Sequence, residues 1–257
     1  MRLGLVTYNM AKDWDVPTII KMCEATGFEG VELRTTHAHG VEVSLNAGER
    51  KAVRRQFEDS AVELVGLGSA FEYHAVDPEE VRQHIEGTKE YTKLAHDVGA
   101  SGVKVRPNGF QDDAGIPREK TLKQIGLALR ECGEFAKDYG VEIRLEVHGR
   151  STSEVPYIAQ IMDFADHDNV FVCWNSNQTD VADGTVKPNF ELVKDKIRLA
   201  HITELHNRDY PYPELFGLLK GIGYTGFCCA EIAGNPEPER FMNFYRALFR
   251  AYAEQER

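Results

Sequence analysis

The sequence predicts an α/β fold, a (β/α)8 TIM barrel formed as a single domain by residues 1–257. Three observations lead there. Eight strand-like apolar runs alternate with eight amphipathic segments. The length fits one barrel of roughly 250 residues. A Gly-x-x-Gly motif recurs where helices turn into strands, at Gly27, Gly99 and Gly223, with starts 72 and 124 residues apart. The first glycine of each suits a left-handed helix cap, and the second allows a tight turn into the strand.

The strand-like runs are Leu3–Tyr8, Gly30–Leu33, Glu63–Leu67, Val103–Val105, Val141–Val147, Val170–Trp174, Arg198–Ile202 and Phe227–Ile232. Several are continuously apolar, as parallel strands covered on both faces are. The helical segments are Pro17–Thr26, Glu49–Ser60, Pro78–Val98, Pro117–Tyr139, Val155–Ala165, Phe190–Lys194, Pro213–Lys220 and Glu237–Gln255, the sixth being the shortest. Asp77 before Pro78 is a good N-cap, and Pro17 and Pro117 mark two further starts. No linker or composition break divides the chain. A doubly wound open sheet is the competing arrangement. It wants a glycine-rich phosphate loop after the first strand, where YNMAKDW stands instead.

With 42% hydrophobic residues the chain can bury a large core, and 30 Lys and Arg against 41 acids give it a net charge of −11. That argues against a nucleic-acid partner, whose phosphates need a basic surface. A small anionic substrate held by one or two arginines stays open. The five cysteines (Cys23, Cys132, Cys173, Cys228, Cys229) show no CxxC spacing, and three lie inside strand-like runs. They read as buried small hydrophobes rather than a disulfide or zinc framework. No apolar stretch approaches the roughly 18 residues that span a bilayer, and MRLGLVTYN opens directly into a strand without a signal-peptide layout. A cytoplasmic, reducing setting without a membrane partner is expected. Homo-oligomerisation stays open, because no surface in the sequence marks it.

Four consecutive strand candidates end in polar side chains: RLEVH in Glu146 and His148, VFVCWN in Asn175, LAHIT in His201 and CCAEI in Glu231. In a barrel these ends converge on one rim, where such folds do chemistry. A lone strand-end Glu or His is usually a salt bridge or a cap. Four on neighbouring strands favour a metal. Two carboxylates, an imidazole and an amide oxygen suit Mn²⁺ first, then Mg²⁺ or Co²⁺. An aspartate at 175 would add a negative charge, so the asparagine predicts weaker binding of a more electrophilic ion.

The same runs carry a family resemblance. GFEGVELR, RLEVHG, VCWNSN, LAHITEL and GYTGFCCAEI, in order along essentially the whole chain, resemble the xylose isomerase-like TIM-barrel superfamily. That group holds sugar and sugar phosphate isomerases and epimerases, and also endonuclease IV. The resemblance implies that Glu146 and Glu231 bind metal and act as the acid–base pair, and that His201 is the strand-seven histidine ligand. Asn175 stands where the family usually has aspartate, and Gln178 where it often has a histidine.

Further candidates surround this set. His148 is expected near the same mouth as a hydrogen-bond partner rather than a ligand. His37 and His39 follow the second strand in HAH, which can bind zinc but more readily offers a substrate hydrogen bond or lies in solvent. Glu32 and Arg34 end that strand, as a rim salt bridge or a substrate contact. Lys104 and Arg106 alternate to the same side and could hold a carboxylate, phosphate or hydroxyl, or face outward. His74 lies on the rim side after strand three, and Trp14 could wall a sugar face. Trp174 should turn away from Asn175 into packing. Glu204, where relatives commonly carry aspartate, could orient His201 or a substrate, with His206 and Arg208 close enough to catch an anion.

Moving a proton next to a carbonyl requires a base on each face and a Lewis acid for the enediolate oxygen. The leading expectation is therefore a metal-dependent isomerase or epimerase of a sugar, sugar phosphate or related keto acid. A lyase on the same scaffold, cleaving a 3-keto-glycoside or dehydrating a polyol, is the second. A catalytically silent sugar-binding barrel is the third. A DNA-repair endonuclease would need more ligands and a basic face.

Overall fold

The computed structural model describes residues 1–254. Eight strands run in chain order: β1 Arg2–Val6, β2 Gly30–Arg34, β3 Glu63–Glu72, β4 Gly102–Arg106, β5 Glu142–Glu146, β6 Val170–Asn175, β7 Ile197–Ile202 and β8 Phe227–Ala230. Each is followed by a helix: α1 Val16–Thr26, α2 Ala47–Glu58, α3 Pro78–Val98, α4 Arg118–Lys137, α5 Val155–Ala165, α6 Lys187–Val193, α7 Tyr212–Gly221 and α8 Pro238–Glu254. The expected end of the last helix, Gln255, lies outside the described residues. All strands pair in parallel, β1 to β8 in sequence, and β8 closes on β1 with Leu3 opposite Cys228. This is the expected (β/α)8 barrel.

Local chemistry accounts for the element ends. Gly27, Gly99 and Gly223 sit at φ 69°, 85° and 69°, so each repeat does place a glycine in the left-handed region. Asp77 caps α3 by accepting from the Glu79 N–H at 2.9 Å. Among the boundaries that differ from expectation, three have a plain cause. Strand β3 continues past Leu67 to Glu72, since after an irregularity its chain pairs again with β4, Glu72 opposite Arg106. Helix α6 starts earlier because Pro188 fits its first turn. The third is β8, which ends at Ala230. Glu231 follows it, held to the barrel by its N–H donating to the Ile202 carbonyl at 2.9 Å.

Two apolar regions result. The larger lies between strands and helices and buries Trp174, Tyr73, Tyr212, Phe28, Phe190 and Phe216. The smaller consists of Val6, Val65, Cys173, Leu199, Phe227 and Cys229. All five cysteines are free and buried. Barrel interiors are usually filled by layers of branched apolar side chains. Here Glu32, Lys104, Glu146 and His201, on β2, β4, β5 and β7, are instead 1%, 5%, 2% and 0% exposed. Among the described residues no helix is long and apolar enough to cross a membrane.

A candidate metal centre at the barrel mouth

Strand register brings the four strand-end residues together. Asn175 stands opposite His201 across β6 and β7, and Glu146 opposite Cys173 across β5 and β6. Glu146, His201 and Glu231 each offer one ligand atom, all within 4.8 Å of one another. His201 Nδ1 lies 3.2 Å from Glu146 Oε1 and 3.8 Å from Glu231 Oε2. Asn175 joins them, its Nδ2 donating to Glu146 Oε1 at 3.2 Å, which leaves its amide oxygen unengaged by that bond.

Beneath this cluster are two further charges. Lys104 Nζ donates to Glu146 Oε2 at 2.8 Å, with both side chains all but buried. Glu32 Oε1 lies 3.2 Å from His201 Nε2. Against the effect of burial, the surrounding carboxylates hold His201 protonated without an ion. An ion at Nδ1 would displace that proton. The carboxylates of Glu32, Glu146 and Glu231 against the Lys104 ammonium would then leave two negative charges, the complement of one divalent cation. The donor set is mixed oxygen and nitrogen, as Mn²⁺ or Zn²⁺ sites are. On both counts the residues fit a divalent ion.

These neighbours push the protonation states apart. Burial alone would raise the Glu146 carboxyl, but Lys104 and His201 outweigh it and hold it well below the usual carboxylate range. Glu231 goes the other way: burial, partly offset by His201 and reinforced by Glu146, raises it. Glu32 is lowered, since His201 and Lys104 overcome its burial. Lys104 is raised by Glu146 and Glu32 against the effect of burial. The two carboxyls are thus shifted in opposite directions, Glu146 down and Glu231 up.

The chain folds around these residues as a xylose isomerase-like TIM barrel should, and the model of that family matches residues 20–248. The chain belongs to this family. Solved structures similar to the barrel include D-psicose 3-epimerase from Clostridium cellulolyticum H10 with D-tagatose, at 14% identity and TM-score 0.79, covering all of both chains. Another is the IolI protein with a bound zinc atom, at 16% identity and TM-score 0.79, covering 99% of this chain and 98% of that one. A third is 3-keto-D-glucoside 4-epimerase YcjR from E. coli, at 14% identity and TM-score 0.79, covering 98% and 99%. At these identities the likeness is one of fold. No curated protein matches the chain.

Other expected residues of this xylose isomerase-like barrel fall in several places. His148 is half-buried beside the site, its Nδ1 3.1 Å from Asn108 Oδ1. Lys104 turns inward onto Glu146, whereas Arg106 sits higher, 3.5 Å from Glu72 and donating to the Ala70 carbonyl. His74 is half-buried against Gly109, and Gln178 is exposed in a 3-10 turn, Gln178–Asp180. Glu204 has exposed His206 at 3.6 Å, while Glu32 is the carboxylate that faces His201 Nε2. Arg34 donates to His37 Nε2 at 3.3 Å, and Trp14 packs against the larger core. His39 is buried, with Nε2 2.7 Å from the Arg34 carbonyl and Nδ1 accepting from the Val41 N–H. Such a histidine is satisfied by backbone.

Trp174 turns into packing as expected, against Phe190, and its Nε1 donates to the Tyr210 hydroxyl at 3.1 Å. Tyr210 in turn donates to Asp180 Oδ2 at 3.0 Å, which also accepts from the Asn177 N–H at 2.9 Å. This clasp fixes the loop after Asn175. Burial pushes the Asp180 carboxyl up to about 8. An acid raised in the folded state adds no penalty below its unfolded value. Its penalty grows as pH rises and levels off above the folded value. Asp180→Asn is therefore expected to gain stability over the parent as pH rises from 5 to 8. The widening should be roughly 3 kcal/mol, or ~8 °C in Tm. Thermal unfolding at both pH values checks this, and a constant difference would contradict the buried-acid account.

Proposed function

We propose that the chain is a metal-dependent isomerase or epimerase that moves a proton next to the carbonyl of a sugar, sugar phosphate or related keto acid. One observation carries this reading. Two glutamates, Glu146 and Glu231, share a mouth with His201 within 4.8 Å, and their environments shift their carboxyls in opposite directions. Paired carboxyls driven apart in this way are the mark of an acid and a base working together. The epimerase names of the similar structures support it.

Glu146, Asn175, His201 and Glu231 would hold the ion, Mn²⁺ in our reading. Bound there, it supplies a Lewis acid that polarises the substrate carbonyl. Glu146, kept ionised by Lys104, accepts the proton from one face of the carbon. Glu231, whose carboxyl burial raises, returns a proton to the opposite face. In the reverse direction the two exchange roles. Asn175 adds an acceptor without charge, leaving the carboxylates to match the ion. We assign His148, Arg106, His74, His37, Gln178, Glu204 and Trp14 to contacts with substrate hydroxyls or an anionic group. The five free cysteines support a reducing, cytoplasmic working place.

A lyase remains the second reading, on one observation. Asn108, at φ 63°, engages His148 Nδ1, which leaves Nε2 to serve a departing oxygen. Incubating Mn²⁺-loaded protein with a panel of ketoses and 3-keto-glycosides in D2O separates the readings. Deuterium retained in a product of unchanged formula supports the epimerase. Loss of water or aglycone supports the lyase. Sugar binding without exchange returns the silent barrel. Both exchange and elimination should vanish in Glu146→Gln.

A further inference from the structure

Glu32 is the least expected side chain inside this barrel. It sits mid-strand between Val31 and Leu33, is 1% exposed, and neither of its oxygens has a hydrogen-bond partner. A carboxylate desolvated in this way is costly unless something nearby needs it. Strand β3 makes the space for it. A Cβ on Gly68 would lie 2.8 Å from Glu32 Oε1, and one on Gly66 3.7 Å from Oε2. The ion-pair partner of Glu32 is His201 Nε2, 3.2 Å away, which likewise makes no hydrogen bond in this arrangement. On the far side of the same ring, Nδ1 is hydrogen-bonded to Glu146 Oε1 at 3.2 Å, a contact that an ion would replace, and lies 3.8 Å from Glu231 Oε2.

We infer that Glu32 is a positioning residue for the candidate metal centre: with an ion bound, it would hold the His201 proton on Nε2 and leave the Nδ1 lone pair for the ion beside Glu146 and Glu231. The inference rests on the metal reading above and adds the residue that makes His201 a one-sided ligand. A neutral imidazole has one donor and one acceptor nitrogen, and the partner of the first decides which is free to ligate. An acceptor fixed behind Nε2 leaves only Nδ1. Carboxylate partners of this kind orient metal-bound histidines, and their loss typically weakens metal binding 10–100-fold. Lys104 has the parallel position behind Glu146, occupying Oε2 so that Oε1 faces the cluster.

The test uses Zn²⁺, which is diamagnetic, on the metal-stripped full chain. Calorimetric titration is run on the parent, Glu32→Gln, Glu32→Leu and Glu231→Gln. The ¹⁵N spectrum of His201 is recorded on the Zn²⁺-loaded parent. Glu32→Gln keeps an acceptor without charge and is expected to bind about 10-fold more weakly; Glu32→Leu should lose about 100-fold. The spectrum should show Nδ1 metallated and Nε2 protonated. Should Glu32→Leu fail to fold, the parent spectrum and Glu32→Gln still decide. Metallation at Nε2, or equal affinity in parent and both Glu32 variants, overturns the assignment of Glu32 alone. If the parent does not bind Zn²⁺, or binds it no more tightly than Glu231→Gln does, the metal reading and this inference fall together.

Discussion

Replacing Glu231 with glutamine is expected to lower turnover on the order of 10²–10⁴-fold, the usual contribution of a positioned acid–base group. The stability of the metal-free protein should hardly fall. The Glu231 side chain is 19% exposed and makes its shortest ion-pair contact at 3.8 Å. Burial raises its carboxyl, so its charged form carries a desolvation cost that glutamine removes. For a group raised in the folded state, the penalty grows as pH climbs above the unfolded value. The variant should therefore be at least as stable as the parent at pH 7. Deuterium wash-in measures the first effect and thermal unfolding the second. Retained wash-in would remove Glu231 from the chemistry. A large fall in Tm would make its role structural.

Lys104 and Glu146 carry the second large effect. Their 2.8 Å pair is 6% and 2% exposed at the side chains, so either single change strands a charge in the barrel. Lys104→Met and Glu146→Gln are each expected to cost about 3–5 kcal/mol, or roughly 10 °C in Tm. Combined, they should cost no more than either alone, because the double variant buries no unpaired partner. Glu32, which also acts on Lys104, softens the Glu146 variant relative to the Lys104 one. Denaturant titration of all four proteins gives the coupling. Strict additivity would mean that the pair does not brace Glu146, and the origin of its ionised state would need another source.

Much of this was legible in the sequence because the barrel announces itself through repetition. Each strand ends in a helix start, and three of the turns back carry the same paired glycines. The strand ends at Glu146, Asn175 and His201 could be aligned because parallel strands share a direction, whatever their twist. Glu231 was found for the same reason, although β8 stops one residue short of it. The lower layer was harder. Glu32 and Lys104 were read as rim or substrate groups, since periodicity gives the face a residue points to but not its depth in the barrel. A signal did exist in their flanks. Val-Glu-Leu on β2 and Val-Lys-Val on β4 each set one charge between buried apolar neighbours, and opposite charges buried so deeply need mutual compensation. The clasp of Trp174, Tyr210 and Asp180 joins residues 36 and 30 positions apart. No local pattern encodes such a contact. The extension of β3 through small residues to Glu72 depends on its pairing with β4, which also lies outside local propensity.

The most direct test is to locate the ion. Crystals of the full chain soaked in Mn²⁺ and measured at the manganese edge should give one anomalous peak within coordination distance of Glu146, Asn175, His201 and Glu231, with His201 bound through Nδ1. The Glu231→Gln crystals should show it weakened or gone. A peak elsewhere in the barrel, or none at saturating Mn²⁺, would contradict the metal centre and with it the proposed proton transfer.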